Sequence, residues 1–441
     1  MGGAKEFEVL VLGATGFTGK YVSRDLLNLP AGKAVKWAMA GRSMSKLEEP
    51  TETRAWMGTG PHAPAALVIV DASDEASVKA AAARAHVVIN CVGPFRFTGV
   101  TVVRACIEAG AHYVDISGEP EFVERILALS PLAADKGVTI VPCCGFDCIP
   151  AEFGNLFAKQ QFAAKGYTCT SAEMFINLKS GPLGIAGNFA TYESAVEGLA
   201  NADELRLLRK KAARAPLPVY GLRLPFFGSP RWEARIRRWC VPFFGADAAI
   251  VRAGQQIVEG FRASTRSVSV AGPYLLPTQF NAYFCTQSIW GVAGLMLFGM
   301  SMSVLTRFKF GRHLLLEYPS FFSLGFFKKG GPTEAQIAQS SFESTFYAKG
   351  YKRVLSDADK GNQGAPDYGM TITVKGPEAG YVFTPIAVIA CALQIRSDEH
   401  HHRGAIPRGV VTAGAAFAKV DLIRNLQEMG IQFTVNSECD L

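Results

Sequence analysis

The sequence predicts an α/β protein whose first third is a doubly wound parallel sheet. Three observations carry this expectation. A short apolar run, Val9 to Leu12, ends in glycines at 13, 16 and 19, and a helical pattern follows with Tyr21, Val22, Leu26 and Leu27 on its apolar side. Short runs rich in Val, Ile and Ala then alternate with helical stretches as far as Pro142. Runs of this kind read as strands buried on both faces, as a parallel sheet covered by helices requires. The third observation is size: 441 residues, 49% hydrophobic and 19% charged, suit a globular chain of about two or three domains with a large core.

The first element is the segment Glu6 to Leu27, which contains GATGFTG. Strand, tight glycine turn and helix start in this order form the phosphate-binding corner of a Rossmann-type fold. The turn needs residues without Cβ, the backbone must come close to a pyrophosphate, and the helix N-terminus offers unpaired N–H groups to an anion. Gly13, Thr15, Gly16, Phe17, Thr18 and Gly19 are therefore candidate cofactor contacts, in the spacing GxxGxxG. Further strands are expected at Val35–Ala40, Ala66–Val70, Val87–Val92, Tyr113–Ile116 and Val138–Pro142. Helices are expected at Glu75–Ala85, Val100–Ala109 and Glu121–Lys136.

In this architecture ligands sit at the carboxyl ends of the strands. The second strand ends in Ala40-Gly41-Arg42-Ser43, without the acid that would bind a ribose diol and repel a 2′-phosphate. Arg42 can pair with a 2′-phosphate and Ser43 can donate to it, so the expected cofactor is NADP(H) rather than NAD. Asp71 ends the third strand, either at the adenine edge or as a helix cap. Cys91, Val92, Gly93 and Pro94 follow the fourth, where backbone passes along the ribose and nicotinamide; Ser117 follows the fifth. Candidate proton donors are Glu119, Asp147 and Tyr113, although carboxylates at strand ends also serve as helix caps. The chain has no Tyr-x-x-x-Lys pair, GxSxG elbow or HExxH zinc motif. Its ten cysteines lack CxxC spacing and suit a reduced compartment with free thiols and no metal site.

The segments GATGFTG, AGRS, NCVGPF, CIEAGAHYVDISGE and GFDCIPAEFG, in this order, closely resemble the saccharopine dehydrogenase-like oxidoreductases. KGPEAGYVFTPIA at 375–387 and TAGAAFAKVDLIRNLQEMGIQF at 412–433 extend the resemblance over nearly the whole chain. This eukaryotic branch is related to saccharopine reductases of the lysine pathway and to bacterial trans-acting enoyl reductases. The resemblance implies an NADP-binding domain at 1–150, a middle α/β domain with a mixed sheet at 151–411, and a C-terminal segment, 412–441, returning to the first domain. It leaves the reaction open.

In the middle region Glu173–Lys179 reads as a strand and Tyr192–Ala213 as a helix. From Leu205 to Arg238 there are ten Arg or Lys residues against one acid, Glu233, which suits an anionic surface; nothing else points to nucleic acid. Ser267 to Thr306 is a run of 40 residues without a charged side chain, densest over Ile289–Leu305. Arg307, Lys309 and Arg312 follow, then Phe321-Phe322 and Phe326-Phe327, so the apolar stretch of 267–327 has basic and aromatic flanks. The 17 residues of Ile289–Leu305 fall short of the roughly 20 that span a bilayer. A single crossing would also put the two chain ends on opposite sides. Three readings remain: a membrane-facing insertion that is re-entrant or lies in the plane of a membrane or lipid-droplet monolayer, a two-pass hairpin, or a helix buried in the core or in a homodimer. The tail has polar linkers at Ser356–Gly369 and Arg396–Gly409, the second with His400-His401-His402 in a surface loop.

The N-terminus lacks the features of a signal peptide, and Glu6 breaks the myristoylation pattern. The expected localisation is an intracellular membrane, that of a lipid droplet or a mitochondrion. The expected activity is NADP-dependent oxidoreduction of a small lipidic enoyl or carbonyl substrate. Saccharopine is not the expected substrate, because the uncharged run replaces the polar cleft that a molecule with several carboxylates needs. The alternative is a catalytically silent membrane scaffold or sensor that binds the nucleotide.

Overall fold

A computed structural model describes residues 5–29, 35–48, 63–265, 276–361, 364–401 and 404–441. Residues 267–275 of the uncharged run, and His402, lie outside the described residues. The first six strands are β1 (Phe7–Leu12), β2 (Trp37–Gly41), β3 (Ala66–Ile69), β4 (Ala85–Asn90), β5 (His112–Asp115) and β6 (Thr139–Val141). They are wholly parallel, in the order β3-β2-β1-β4-β5-β6, and a seventh strand, Gly409–Val410, adds beyond β6. The order reverses between β1 and β4, which opens a crevice at their carboxyl ends. Register fixes what lines it. Leu12 lies level with Ala40 on one side and Asn90 on the other, so the residues after all three strands emerge at one height.

The second sheet is mixed. Its order is Gln432–Asp440, Tyr368–Pro377, Ser341–Tyr351, Thr168–Lys179, Gln279–Thr286, Arg238–Pro242, Arg231–Glu233, and only the 168–179 and 279–286 pair is parallel. The strand at Ser341–Tyr351 alternates buried and half-buried residues, the period-2 pattern of a sheet with unlike faces. Helices Ile149–Ala164 and Thr384–His400 contribute to one continuous core with Val9 and Val87 of the first sheet and Phe346 and Ile372 of the second.

The return to the first sheet differs from the expectation. It is made by Thr384–His400, which packs on β4, β5 and the helix Phe17–Leu27, and by Gly409–Val410. Residues 432–440 instead join the edge of the second sheet, where Phe433 enters the shared core. A strand of two residues has no periodicity of its own, so sequence pattern could not reveal the seventh strand. The stretch Ala379–His400 is long and apolar enough to cross a bilayer by length and composition, but most of it is buried as a core helix. The expected loop from Arg396 is helical as far as His400. Its end is fixed by Asp398, which accepts from the Ala405 N–H, and by Arg396, which pairs with Glu8 and Glu399.

The basic run is also less open than its composition suggests. Arg209 and Arg214 pair with Glu124, and Arg231 and Arg235 with both Glu173 and Glu233. The arginine planes of 231 and 235 lie over Phe227 and Tyr347. Much of that charge is therefore paired within the molecule, by Glu233 inside the run and by Glu124 and Glu173 from other elements.

Candidate functional site

Gly13 follows β1 with φ +82°, a conformation that disfavours a side chain. A Cβ on it would lie 2.7 Å from the Val92 side chain, so the turn rests directly on the segment after β4. A Cβ on Gly19 would lie 2.1 Å from the Gly13 carbonyl oxygen, which brings the helix start against the turn. The Gly16 N–H donates to the Gly13 carbonyl at 2.9 Å, and the helix Phe17–Leu27 begins after Gly16 with no side-chain cap. The turn thus presents uncapped helix N–H groups beside glycines, with Thr15 exposed and Thr18 half-buried beside it. Phe17 has a further role: its ring packs on Tyr21 and Tyr381 and ties the turn to the second sheet's side of the molecule.

Arg42 is exposed after β2. Ser43 starts the short helix Met44–Glu48, and its Oγ receives the Lys46 N–H. Asp71 accepts from both the N–H and hydroxyl of Ser73, and these bonds hold its carboxyl below the usual range; nearby Arg42 adds a smaller effect. Helix capping at Glu75–Ala82 belongs to Asp74. Of the segment after β4, the Val92 N–H is held by Asn90, and burial pushes the Cys91 thiol up to about 12. Gly93 and Pro94 lead into the helix Phe95–Glu108.

The structure divides the candidate proton donors. Tyr113 is fully buried inside the sheet, where its hydroxyl donates to Asp115 at 2.9 Å and receives Asn90 at 3.1 Å. It does not reach the cleft. Ser117 is likewise turned inward, its hydroxyl donating to Asp115 at 2.7 Å. Glu119 accepts three bonds, from the N–H groups of Phe95 (2.8 Å) and Arg96 (2.9 Å) and from the Ser194 hydroxyl (2.8 Å). Saturated in this way, it clamps two helices together. Asp147 is half-buried after β6 and packs on the backbone of Gly118. Burial raises its pKa, and burial together with the Asp147 charge raises that of the enclosed Asp247 well above the carboxylate range. Of the three expected donors, Asp147 alone has no hydrogen bond or ion pair among the described residues.

The helix expected at Tyr192–Ala213 is two helices, Phe189–Ala200 and Ala202–Ala212, and the first of them roofs this cleft, a position that the sequence did not reveal. Asn188 caps it, and the Asn188 N–H donates to the Tyr381 hydroxyl at 2.9 Å, close to Phe17. Farther along, Ser194 reaches Glu119, and Arg96 donates to the Glu197 carbonyl at 2.9 Å. The helix therefore runs from the glycine turn to the ends of β4 and β5. Asn188 before a helical pattern could have located its start, but no local signal locates what its polar side meets.

Residues 9–141 match the family model described as saccharopine dehydrogenase NADP binding domain. Over 447 aligned positions the chain is 37% identical to the human saccharopine dehydrogenase-like oxidoreductase, with 99% of each chain covered. The chain belongs to the saccharopine dehydrogenase-like oxidoreductase family. It is also 34% identical to a Caenorhabditis elegans protein named lipid droplet localized protein, with 99% of each chain covered. To the trans-acting enoyl reductase of Mycobacterium bovis it is 34% identical over 208 residues, covering 46% of this chain and 48% of the other. Among solved structures, apo saccharopine dehydrogenase (L-Glu forming) from Saccharomyces cerevisiae matches over 99% of this chain and 100% of its own, with TM-score 0.51 and 13% identity. That likeness shows the fold.

The protein binds NADP(H), and the glycine turn fits it: Gly13, Gly16 and Gly19 keep Cβ atoms out of the corner, and the helix N–H groups there have no side-chain cap. The nicotinamide supplies or accepts a hydride when bound. Arg42→Ala is expected to weaken NADPH binding by about 1–3 kcal/mol, the range for a charge-assisted contact, and to leave NADH binding nearly unchanged. Fluorescence titration with both cofactors checks this; equal losses would remove Arg42 from the 2′-phosphate.

Proposed function

We propose that this chain is an NADP(H)-dependent reductase of a lipidic enoyl or carbonyl substrate, held on a membrane or lipid-droplet monolayer by Ile289–Leu305. One observation carries the reading. The helix Ile289–Leu305 lies on the outside, with only Val292 and Met302 buried, while Trp290, Leu297 and Met300 are 82%, 53% and 61% exposed. Phe308, Phe310, Phe321 and Leu324 extend the exposed apolar surface over the next helices. A contiguous surface of this kind, flanked by Arg307, Lys309 and Arg312, has the character of an interfacial anchor.

The anchor is joined to the cleft. Phe298 and Met302 pack with Phe327 and Leu315 on Tyr192 and Val196 of the roof helix. An apolar substrate drawn from the lipid phase would thus meet the protein beside the nicotinamide end. The names of the worm and mycobacterial relatives fit a lipid surface and an enoyl substrate.

The test is flotation with liposomes of neutral and anionic phospholipid. The wild type is expected to float, and a variant with Leu297→Asp, Met300→Asp and Val304→Asp to remain in the soluble fraction with its NADPH affinity intact. A wild type that stays soluble and monomeric without detergent removes the anchor. A soluble dimer that the triple variant splits makes this helix a subunit interface.

A further inference from the structure

The second sheet ends in a short hairpin. The strand Arg238–Pro242 lies between Gln279–Thr286 and the edge strand Arg231–Glu233, which is three residues long. Its register with Gln279–Thr286 sets Cys240 directly opposite Cys285, and the two Sγ atoms are 3.6 Å apart. Both cysteines are free and buried, in a cluster with Phe175 and Tyr283 and against Ile236 and Tyr347.

Opposite residues of an antiparallel pair alternate between hydrogen-bonded and non-hydrogen-bonded positions, and side chains stand closer at the latter. The same register puts Phe243 opposite Ala282, and the Phe243 N–H donates to the Ala282 carbonyl at 3.0 Å, so that pair is hydrogen-bonded. Counting back from it, Pro242 with Tyr283 is non-hydrogen-bonded, Val241 with Phe284 hydrogen-bonded, and Cys240 with Cys285 non-hydrogen-bonded. Pro242, which has no N–H, agrees with this count, because its position gives none to Tyr283. A non-hydrogen-bonded pair has its Cα atoms about 4.5 Å apart, inside the roughly 4.4–6.8 Å range of disulfides. Side-chain rotation therefore suffices to join the two sulfurs, with the backbone in place.

We propose that Cys240 and Cys285 form a redox latch: a peroxide joins them in a cross-strand disulfide, which locks the strand pair from which the helix Ile289–Leu305 springs. Thr286 follows Cys285 and ends its strand, and Ser288 caps the helix. A Cβ on Gly291 would lie 2.1 Å from the Thr286 hydroxyl oxygen, so the first turn of the helix rests on the neighbour of Cys285. The latch acts on this root whatever the exposed side of the helix covers.

Access comes through the sheet edge. Arg231 stands opposite Cys240 on the three-residue edge strand, and opening of that strand uncovers the thiol. Cys240 attacks the peroxide: the O–O bond breaks, a sulfenic acid forms on Cys240 and one water leaves. Cys285 then attacks the Cys240 sulfur. The S–O bond breaks as the S–S bond forms, and the hydroxyl leaves with the Cys285 proton as a second water. Two thiols have given two electrons to one peroxide. The adjacent Cys240 thiol first, and then burial, push the Cys285 thiol well up, so Cys285 keeps its proton and Cys240 reacts first. A small dithiol reverses the bond by exchange and leaves as its own disulfide.

The test treats the reduced full chain with excess hydrogen peroxide, blocks remaining thiols with iodoacetamide and maps the peptides by mass spectrometry. A linked peptide pair joined through Cys240 and Cys285 is expected, and it should vanish after dithiothreitol. Amide hydrogen exchange across Arg238–Pro242 and Gln279–Thr286 should slow by about tenfold or more in the oxidised chain and recover on reduction. Cys285→Ala should instead leave a sulfenic acid on Cys240, read with a dione probe, and show no slowing. Thiols at 240 and 285 that are still alkylated under conditions that oxidise the exposed Cys439 overturn the proposal. So does a disulfide from either residue to a different cysteine, or a Cys240–Cys285 bond that leaves the exchange unchanged.

Discussion

Gly19→Ala should lose NADPH affinity by at least about 100-fold, equivalent to about 2.7 kcal/mol. The added Cβ would stand 2.1 Å from the Gly13 carbonyl oxygen, and the contact is backbone on backbone, with no flexible side chain to yield. Either the turn or the start of the helix Phe17–Leu27 must move, and both belong to the anion site. Fluorescence titration of NADPH reads the effect, and near-UV circular dichroism shows that the rest of the fold is retained. Affinity within about threefold of wild type would mean that the pyrophosphate does not use this corner.

Asp115→Ala should cost on the order of 3–5 kcal/mol of folding stability, because several buried neutral donors lose their acceptor at about 1–3 kcal/mol each. The carboxyl accepts from the Tyr113 hydroxyl, the Ser117 N–H and hydroxyl, and the Cys143 N–H, all at 2.7–2.9 Å. Removing it leaves those donors unmet inside the sheet and uncouples the ends of β5 and β6. The loss should also depend on pH. Burial raises the Asp115 pKa to about 6, so its favourable contribution is complete below the unfolded value and declines as pH rises through 6. Urea unfolding should therefore show a larger difference between wild type and variant at pH 4 than at pH 7, by up to about 3 kcal/mol. A difference independent of pH would show that the carboxyl has its ordinary pKa in the folded protein.

What could be read from the sequence was local. The glycine turn, the missing acid beside Arg42 and the alternation of strands with helices each lie within a few tens of residues. The six strands of the first sheet were visible in this way, each shifted by one or two residues at its ends. What could not be read depends on partners far along the chain. Glu119 looked like a proton donor because its third hydrogen-bonding partner, Ser194, lies 75 residues away. Tyr113 looked available because burial does not show in a strand-end tyrosine. The basic run looked open because its carboxylates, Glu124 and Glu173, belong to other elements. The apolar helix was visible as a composition, and its placement on the surface came only from the fold.

The seventh strand of the first sheet has a consequence for how the protein is made. Residues 409–410 pair beside β6, and Thr384–His400 covers one face of β4 and β5. While the ribosome is adding residues 150 to 380, the nascent nucleotide-binding half therefore carries an unpaired edge beside β6 and a bare apolar face. The exposed surface of Ile289–Leu305 emerges in the same interval. The chain thus passes through synthesis with two sticky faces, and only its last sixth closes the first of them. Such a delay between making a strand and pairing it is the situation in which chaperone capture competes with aggregation.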